Sequence, residues 1–381
     1  MSTETSTFPP FSLSRLLKTV FAPVGGERVA FLIDLEDPHA IKGFRFLQDR
    51  GLTVQKHAHD VFYQGFRQGV AEELGLKGGD LFAYKITGGS NLDLSDLAVD
   101  PEGKELSLEK DVYPNYDLIL CISTYSATAP LTAHAKRHGF RGATLHGLND
   151  IIINSGLAVD YEEVSRQAEK LRAGMSRAEA VEIDFEAGGE SHTLRLELGG
   201  QEAQKSHGLC RAGPDVANLP AGEVYYVPMG AEGAFPMKYN EGSLGLMKVT
   251  GGRIQEAEFL SGNRKTIEEH NRKLKSDPVT GELGELGFGT QILPVSGQDI
   301  QDEKVLGTLH VATGRSDHLG GHLTPELFSE SSHATHDDIL YSPSKTPEIG
   351  VTQARMYRDG AVEVLIENFE PAAYMRRLLE E

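Results

Sequence analysis

The sequence has no tryptophan and only two cysteines, Cys121 and Cys210, far apart in a chain of 381 residues. Two cysteines exclude a disulfide framework and a cysteine-rich zinc site, and they point to a reducing compartment. Cys121 lies in the apolar run LILCI at 118–122 and reads as packed core. Long apolar runs are also missing: none approaches the ~20 residues that span a bilayer. The opening MSTETSTFPPFS lacks the basic start, apolar stretch and cleavage site of a signal peptide. A cytoplasmic protein with no membrane partner is the expectation.

Positive charge is scarce as well, with 37 Lys and Arg against 56 Asp and Glu, a net charge of -19. Such a surface repels phosphate backbones, so no nucleic-acid partner is expected. It suits cations and small neutral or cationic substrates, although solubility alone also explains it. No glycine-rich phosphate fingerprint opens a helix. Gly25 and Gly26 precede the first strand instead of following it, which excludes a dinucleotide site there.

Glycine, by contrast, is abundant, at 42 residues, and favours turns and short strands. Residues 1–12 read as a loose arm. Strands are predicted at 28–35, 53–56, 117–123 and 143–146, and helices at 38–50, 60–74, 130–138 and 149–155. Residues 89–111 read as a long polar loop. This alternation predicts a parallel α/β layer. A helix over 160–175, acidic first and basic later, links the halves. The boundary falls near Ser176, giving an α/β domain with linker helix at 1–175 and a β-rich domain at 176–381. In the second, alternating segments at 180–185, 192–198, 224–227, 246–249, 253–259, 305–312 and 361–366 predict a mostly antiparallel, barrel-like sheet, with one helix near 264–275.

Five of the 14 histidines fall between His310 and His336, among dense carboxylates. Neutral imidazole mixed with ionised carboxylate is the donor chemistry of a Zn, Co, Mn or Fe site. In a strand, residues two apart share a face, so His336 and Asp338 can chelate one ion while Asp337 points away. A solvated turn is the other reading. His310 would share a face with Thr308 and Ala312, small neighbours that leave room for an ion, or else be a satisfied core histidine. Glu223 opens a strand after a Pro/Gly turn and is either oriented for coordination or simply exposed. Glu285 sits among four glycines between 281 and 289, which either let backbone approach a ligand or form a flexible loop. Glu282 competes with it.

The stretch NLPAGEVYYVP at 218–228 resembles the metal-binding turn of the thermophilic aminopeptidase family, which are metal-dependent exopeptidases. Later motifs follow in the family's order: Gly-Glu after a helix, HVATG, then SSHATHDD. The helix DYEEVSRQAEKL is similar to the family's interdomain linker. The resemblance spans about 150 to 370 and is weaker before that. It implies a two-domain, usually dimeric enzyme with an α/β domain and a β-rich metal-binding domain. Glu223, Glu285, His310, His336 and Asp338 then match the ligands, commonly of two ions (Zn, Co or Mn). Glu285 is also the carboxylate credited with activating water, and Glu303 matches a further acidic position with altered spacing. One departure stands out. The peptidases place a Tyr seven residues beyond the strand His, where this chain has Asp317. A ring-opening branch, resembling 2,5-dihydroxypyridine dioxygenase, binds one Fe(II) through two His and one carboxylate, for which His310, His336 and Asp338 suffice. The expected activity is release of N-terminal residues from small peptides, with that dioxygenase chemistry or a non-peptidase relative as alternatives. His318, His322 and His333 are candidates to replace the Tyr as proton donor.

Overall fold

The computed structural model describes residues 8–380. Most of the expected arm lies outside them, but Ser12 caps a helix, Leu13–Phe21, its hydroxyl accepting from the Arg15 amide. Internal contacts divide the chain into two units. The first runs up to Ser165 and includes His207–Ala221; the second comprises Arg166–Ser206 and the chain from Gly222 onward.

The first unit is built on a seven-stranded sheet. Its order is Asp215–Asn218, Arg141–His146, Leu118–Ser123, Arg28–Leu35, Lys77–Lys85, Leu97–Val99 and Glu105–Ser107. The first five run parallel, and the last two are joined on by antiparallel pairings. Cys121 is fully buried among Leu32, Tyr84 and Leu131, as its apolar setting predicts. Two expectations fail. Residues 53–56 open a helix, Thr53–His57, because four residues are too few to separate a period of 2 from one of 3.6. The strand that belongs beside Arg28–Leu35 is instead Lys77–Lys85. Gly78 and Gly79 hid it. Both have positive φ, and a Cβ on Gly78 would lie 2.7 Å from the Val29 carbonyl. The expected loop at 89–111 also holds two short strands and the start of a helical turn, Leu108–Val112.

The second unit carries two antiparallel sheets. The larger has eight strands, in the order Arg253–Ser261, Leu244–Thr250, Gly230–Lys238, Glu190–Gln201, Ala178–Ala187, Ile349–Arg358, Ala361–Glu367 and Glu370–Pro371. The smaller has five: His336–Tyr341, Leu309–Gly314, Leu283–Gly289, Glu223–Tyr226 and Gln204–Ser206. No pair closes either sheet into a barrel among the described residues. The two share one core, in which Val181, Leu196 and Met247 of the larger sheet meet Leu286, Val311 and Ile339 of the smaller. Tyr341 fixes the contact, its ring 4.8 Å from that of Phe185 and its hydroxyl donating to Pro236 O at 2.7 Å. Each fully buried side chain of this kind contributes roughly 1.5–3 kcal/mol. The expected strand at 305–312 begins only at Leu309, because Gly307, at φ +96, turns the backbone closely past Phe369 O. Among the described residues, no helix is long and apolar enough to cross a membrane.

The helix Arg264–Ser276 covers the edge of the larger sheet, where Asn271 exchanges two hydrogen bonds with the Ala257 backbone. His270 meets the Tyr239 hydroxyl through Nδ1. Burial, helped by Lys273, pushes the pKa of His270 down to about 4. An unfolded histidine titrates near ~6.5. Between those values the unfolded chain holds a proton that the folded chain does not, so stability falls as pH drops from about 6.5 toward 4. Urea midpoints at about pH 7.5 and about pH 5 should therefore drop further for the wild type than for His270→Gln. Equal losses would show that His270 is not a source of acid sensitivity.

Candidate metal centre

Strand alternation sorts the smaller sheet into two faces. Val224, Tyr226, Leu286, Phe288, Leu309, Val311, Ile339 and Tyr341 enter the core. Glu223, Glu285, His310, His336 and Asp338 therefore share the other face. Register then brings them together. Glu285 pairs with Ala312, which pairs with Asp338; Gly287 pairs with His310; and Gly289 pairs with Glu223.

The glycines have a specific role here. A Cβ on Gly287 would lie 2.1 Å from His310 Cε1, so the imidazole lies flat across that residue. A Cβ on Gly289 would lie 2.1 Å from Val305 O, where the chain crosses the sheet. The segment around Glu285 is therefore a buried strand and not a flexible loop, and its glycines admit a ring and a backbone instead of a ligand.

Glu285 joins the two imidazoles. Its Oε1 is 3.5 Å from His310 Nε2 and its Oε2 is 2.9 Å from His336 Nε2. Asp338 Oδ1 lies 3.3 Å from His336 Nε2 and 3.9 Å from His310 Nε2, and Glu223 Oε2 is 3.9 Å from His310 Nε2. Two residues not among the five ligand candidates complete the cluster. Lys304 Nζ is 2.7 Å from Glu223 Oε2 and 2.5 Å from Glu303 Oε1. Glu303 was reached from the family resemblance; Lys304 carries no signal that separates it from a surface lysine in the sequence. Of the seven side chains only Asp338 reaches solvent appreciably, at 29 % exposure.

The charges are mutually dependent. Burial alone would raise the pKa of Glu285, but hydrogen bonds and charge from His310 and His336 outweigh it and hold the carboxyl at about 2. Burial would likewise discharge His310, yet Glu285, Asp338 and Glu303 raise it to about 10. His336 is raised in the same way by Asp338 and Glu285, and Asp338 is lowered in return by His336. Burial dominates for Glu303 and lifts it to about 8 against the pull of Lys304. Without an added cation, the cluster thus balances its carboxylates with two imidazoliums and an ammonium.

The residues fit a divalent ion. Three overlapping triplets have donor atoms within 4.8 Å of one another: Glu223, Glu285 and His310; Glu285, His336 and Asp338; Glu303, His310 and Asp338. His310 Nδ1 and Asp338 Oδ1 are buried without a well-directed hydrogen bond. His336 Nδ1 sits 2.7 Å from Arg315 O, which can only accept, so Nδ1 donates and Nε2 faces the carboxylates. Among the described residues one other such group exists, Glu109, His134 and His138 in the first unit, where Glu109 is already paired with Arg137 at 3.0 Å.

The remaining candidates separate clearly. Glu282 pairs with Arg253 at 2.7 Å and with the exposed His322 at 3.0 Å, outside the cluster. His333 is bound to Asp277 at 2.8 Å. Asp317 turns to Arg315 Nε at 2.7 Å. His318 alone of the three histidines reaches the centre, its ring edge-on to His336 at 5.0 Å.

Gly287→Ala should displace the His310 ring. Overpacking of this kind costs about 1–3 kcal/mol in stability. Calorimetric titration with Zn(II) or Mn(II) should show affinity reduced at least about tenfold, the scale on which disturbed ligand support acts. Unchanged affinity would mean that His310 is not held by this contact.

No family model and no curated protein matches the chain. Solved structures do. A 2,5-dihydroxypyridine dioxygenase from Pseudomonas putida KT2440 aligns over 91% of this chain and 92% of its own, with a TM-score of 0.59 and 13% identity. Wild-type AmpT (aminopeptidase T) from Thermus thermophilus aligns over 95% of this chain and 98% of its own, with a TM-score of 0.54 and 14% identity. The chain therefore shares the fold of two enzymes along nearly its whole length, and at this identity the likeness speaks for the fold alone.

Proposed function

We propose that the cluster binds divalent metal and that the chain is an aminopeptidase-like hydrolase, releasing N-terminal residues from small peptides. The observation that carries this reading is the convergence of four carboxylates and two imidazoles on one face of one sheet. A bound divalent ion would polarise a scissile carbonyl and lower the pKa of a water toward ~7. Glu285, His310, His336 and Asp338 would hold it. Burial is the strongest influence on Glu285, and its hydrogen bonds from the imidazoles are what oppose it. Glu285 would be the base that takes a proton from water and passes it to a leaving amine. Asp338, at the solvent-facing side, is placed to attract a substrate's ammonium group. His318 packs on His336 and keeps its ring in position. The same reading brings a cytoplasmic homodimer, a boundary near Ser176 and a small peptide or small-molecule substrate as proposals. Aminoacyl-p-nitroanilides incubated with Zn, Co or Mn should be hydrolysed, and Glu285→Gln should lower kcat by roughly 10²–10⁴-fold. Absence of metal-stimulated release across a broad panel would end this reading.

A second reading has its own observation. His310, His336 and Asp338 form a two-histidine, one-carboxylate set on adjacent strands, and Asp317 is committed to Arg315. That set is the pattern of mononuclear Fe(II) oxygenases. Protein loaded with Fe(II) should then consume oxygen in the presence of a dihydroxylated heteroaromatic. No uptake with such substrates leaves the hydrolase reading alone.

A further inference from the structure

Lys304 is the one cation of the cluster that no ligand role explains. Its side chain is 1% exposed, and its ammonium is held between Glu223 and Glu303. This is no surface side chain that has folded inward. Asp299–Asp302 forms a helical turn immediately before it, and the Lys304 amide donates to Gln301 O at 2.9 Å. Its carbonyl accepts from the Gln291 amide at 2.8 Å. Gly289 removes the Cβ that would otherwise lie 2.7 Å from the Lys304 carbonyl carbon. The backbone therefore delivers this lysine to the sheet face by three separate constraints.

An isolated buried ammonium costs several kcal/mol, so such a group persists where carboxylates surround it. The carboxylates that surround this one are those a second metal ion would need. Glu223 belongs to the triplet with Glu285 and His310, and Glu303 to the triplet with His310 and Asp338. The third triplet, Glu285, His336 and Asp338, includes no carboxylate that Lys304 touches. An ion there, completed by His310, leaves both lysine contacts intact. An ion on Glu223 or Glu303 must instead compete with an ammonium at 2.7 or 2.5 Å.

We infer that Lys304 is a built-in cation standing where a second divalent ion would bind, so that the centre takes one ion, on Glu285, His310, His336 and Asp338. Glu223 and Glu303 are then the lysine's hydrogen-bond partners and not ligands of a second ion. This rests on the metal reading above and narrows it: one ion, with a fixed positive charge beside it.

The test is metal stoichiometry, read without reference to turnover. Full-length protein stripped with chelator is titrated with MnCl2 or ZnCl2 alone, and bound metal is counted after dialysis. Manganese spectra supply a second readout, because an isolated Mn(II) and a coupled pair differ in line shape. One equivalent of tightly bound metal and an isolated-ion spectrum are expected for the wild type. Lys304→Met should bind two equivalents, and its melting temperature, lowered without metal, should recover only with the second. Two equivalents in the wild type overturn the lysine's role and leave the metal reading standing. No bound metal overturns both. A Lys304→Met protein that folds and still takes one equivalent also overturns the inference; if it does not fold, the wild-type count and spectrum decide alone.

Discussion

Everything at the centre depends on compensating charge inside a sheet that excludes water from all but one of its members. Four carboxylates cannot be buried together unless cations are buried with them. Two imidazoles and one ammonium supply that charge, and each acquires its state from the others. The mutual dependence explains why the cluster is compact. A carboxylate moved a few ångströms away would lose its counter-charge and keep its desolvation cost. It also makes the site receptive to metal, since a divalent ion replaces two imidazolium protons with the same net charge.

The sheet meets this constraint through register. Alternation commits every second residue of four strands to the shared core, so the donor face follows from the apolar face. A slip of one residue in the His336 strand would turn His336 and Asp338 into the core and expose Ile339. Space is the other requirement. Gly287, Gly289 and Ala312 sit among the donors, and the two glycines are filled by an imidazole and a crossing backbone. The small residues at the centre are thus the means by which large charged ones fit.

This explains what could and could not be read from the sequence. His336 and Asp338 were legible because i and i+2 on a strand is a local relation. His310 was legible because its flanking residues, Leu309 and Val311, alternate around it. Glu223 and Glu285 followed only from the order of motifs along the chain, since nothing local distinguishes them from exposed glutamates. The Glu285 strand was obscured by its own glycines, which lower strand propensity for the same reason that they admit the His310 ring. The Lys77–Lys85 strand was lost in the same way, through Gly78 and Gly79. Lys304 was out of reach because its significance lies in a backbone path across the sheet, set by contacts far apart in sequence. The parallel order of the first unit was legible in outline, from alternating strands and helices, although one strand was assigned to the wrong segment.

The fold shared with an aminopeptidase and a dioxygenase leaves the chemistry to the residues around the donors. Two features of these residues bear on it here. Position 317 offers a carboxylate that is spent on Arg315, so no phenol stands beside the centre from that position. A histidine next to it, His318, packs against a ligand candidate, and burial lowers its pKa. Lys304 adds a positive charge that a set of carboxylates and imidazoles does not contain. The donors at the centre are therefore neighboured by a buried imidazole and a buried ammonium, and by no phenol from position 317.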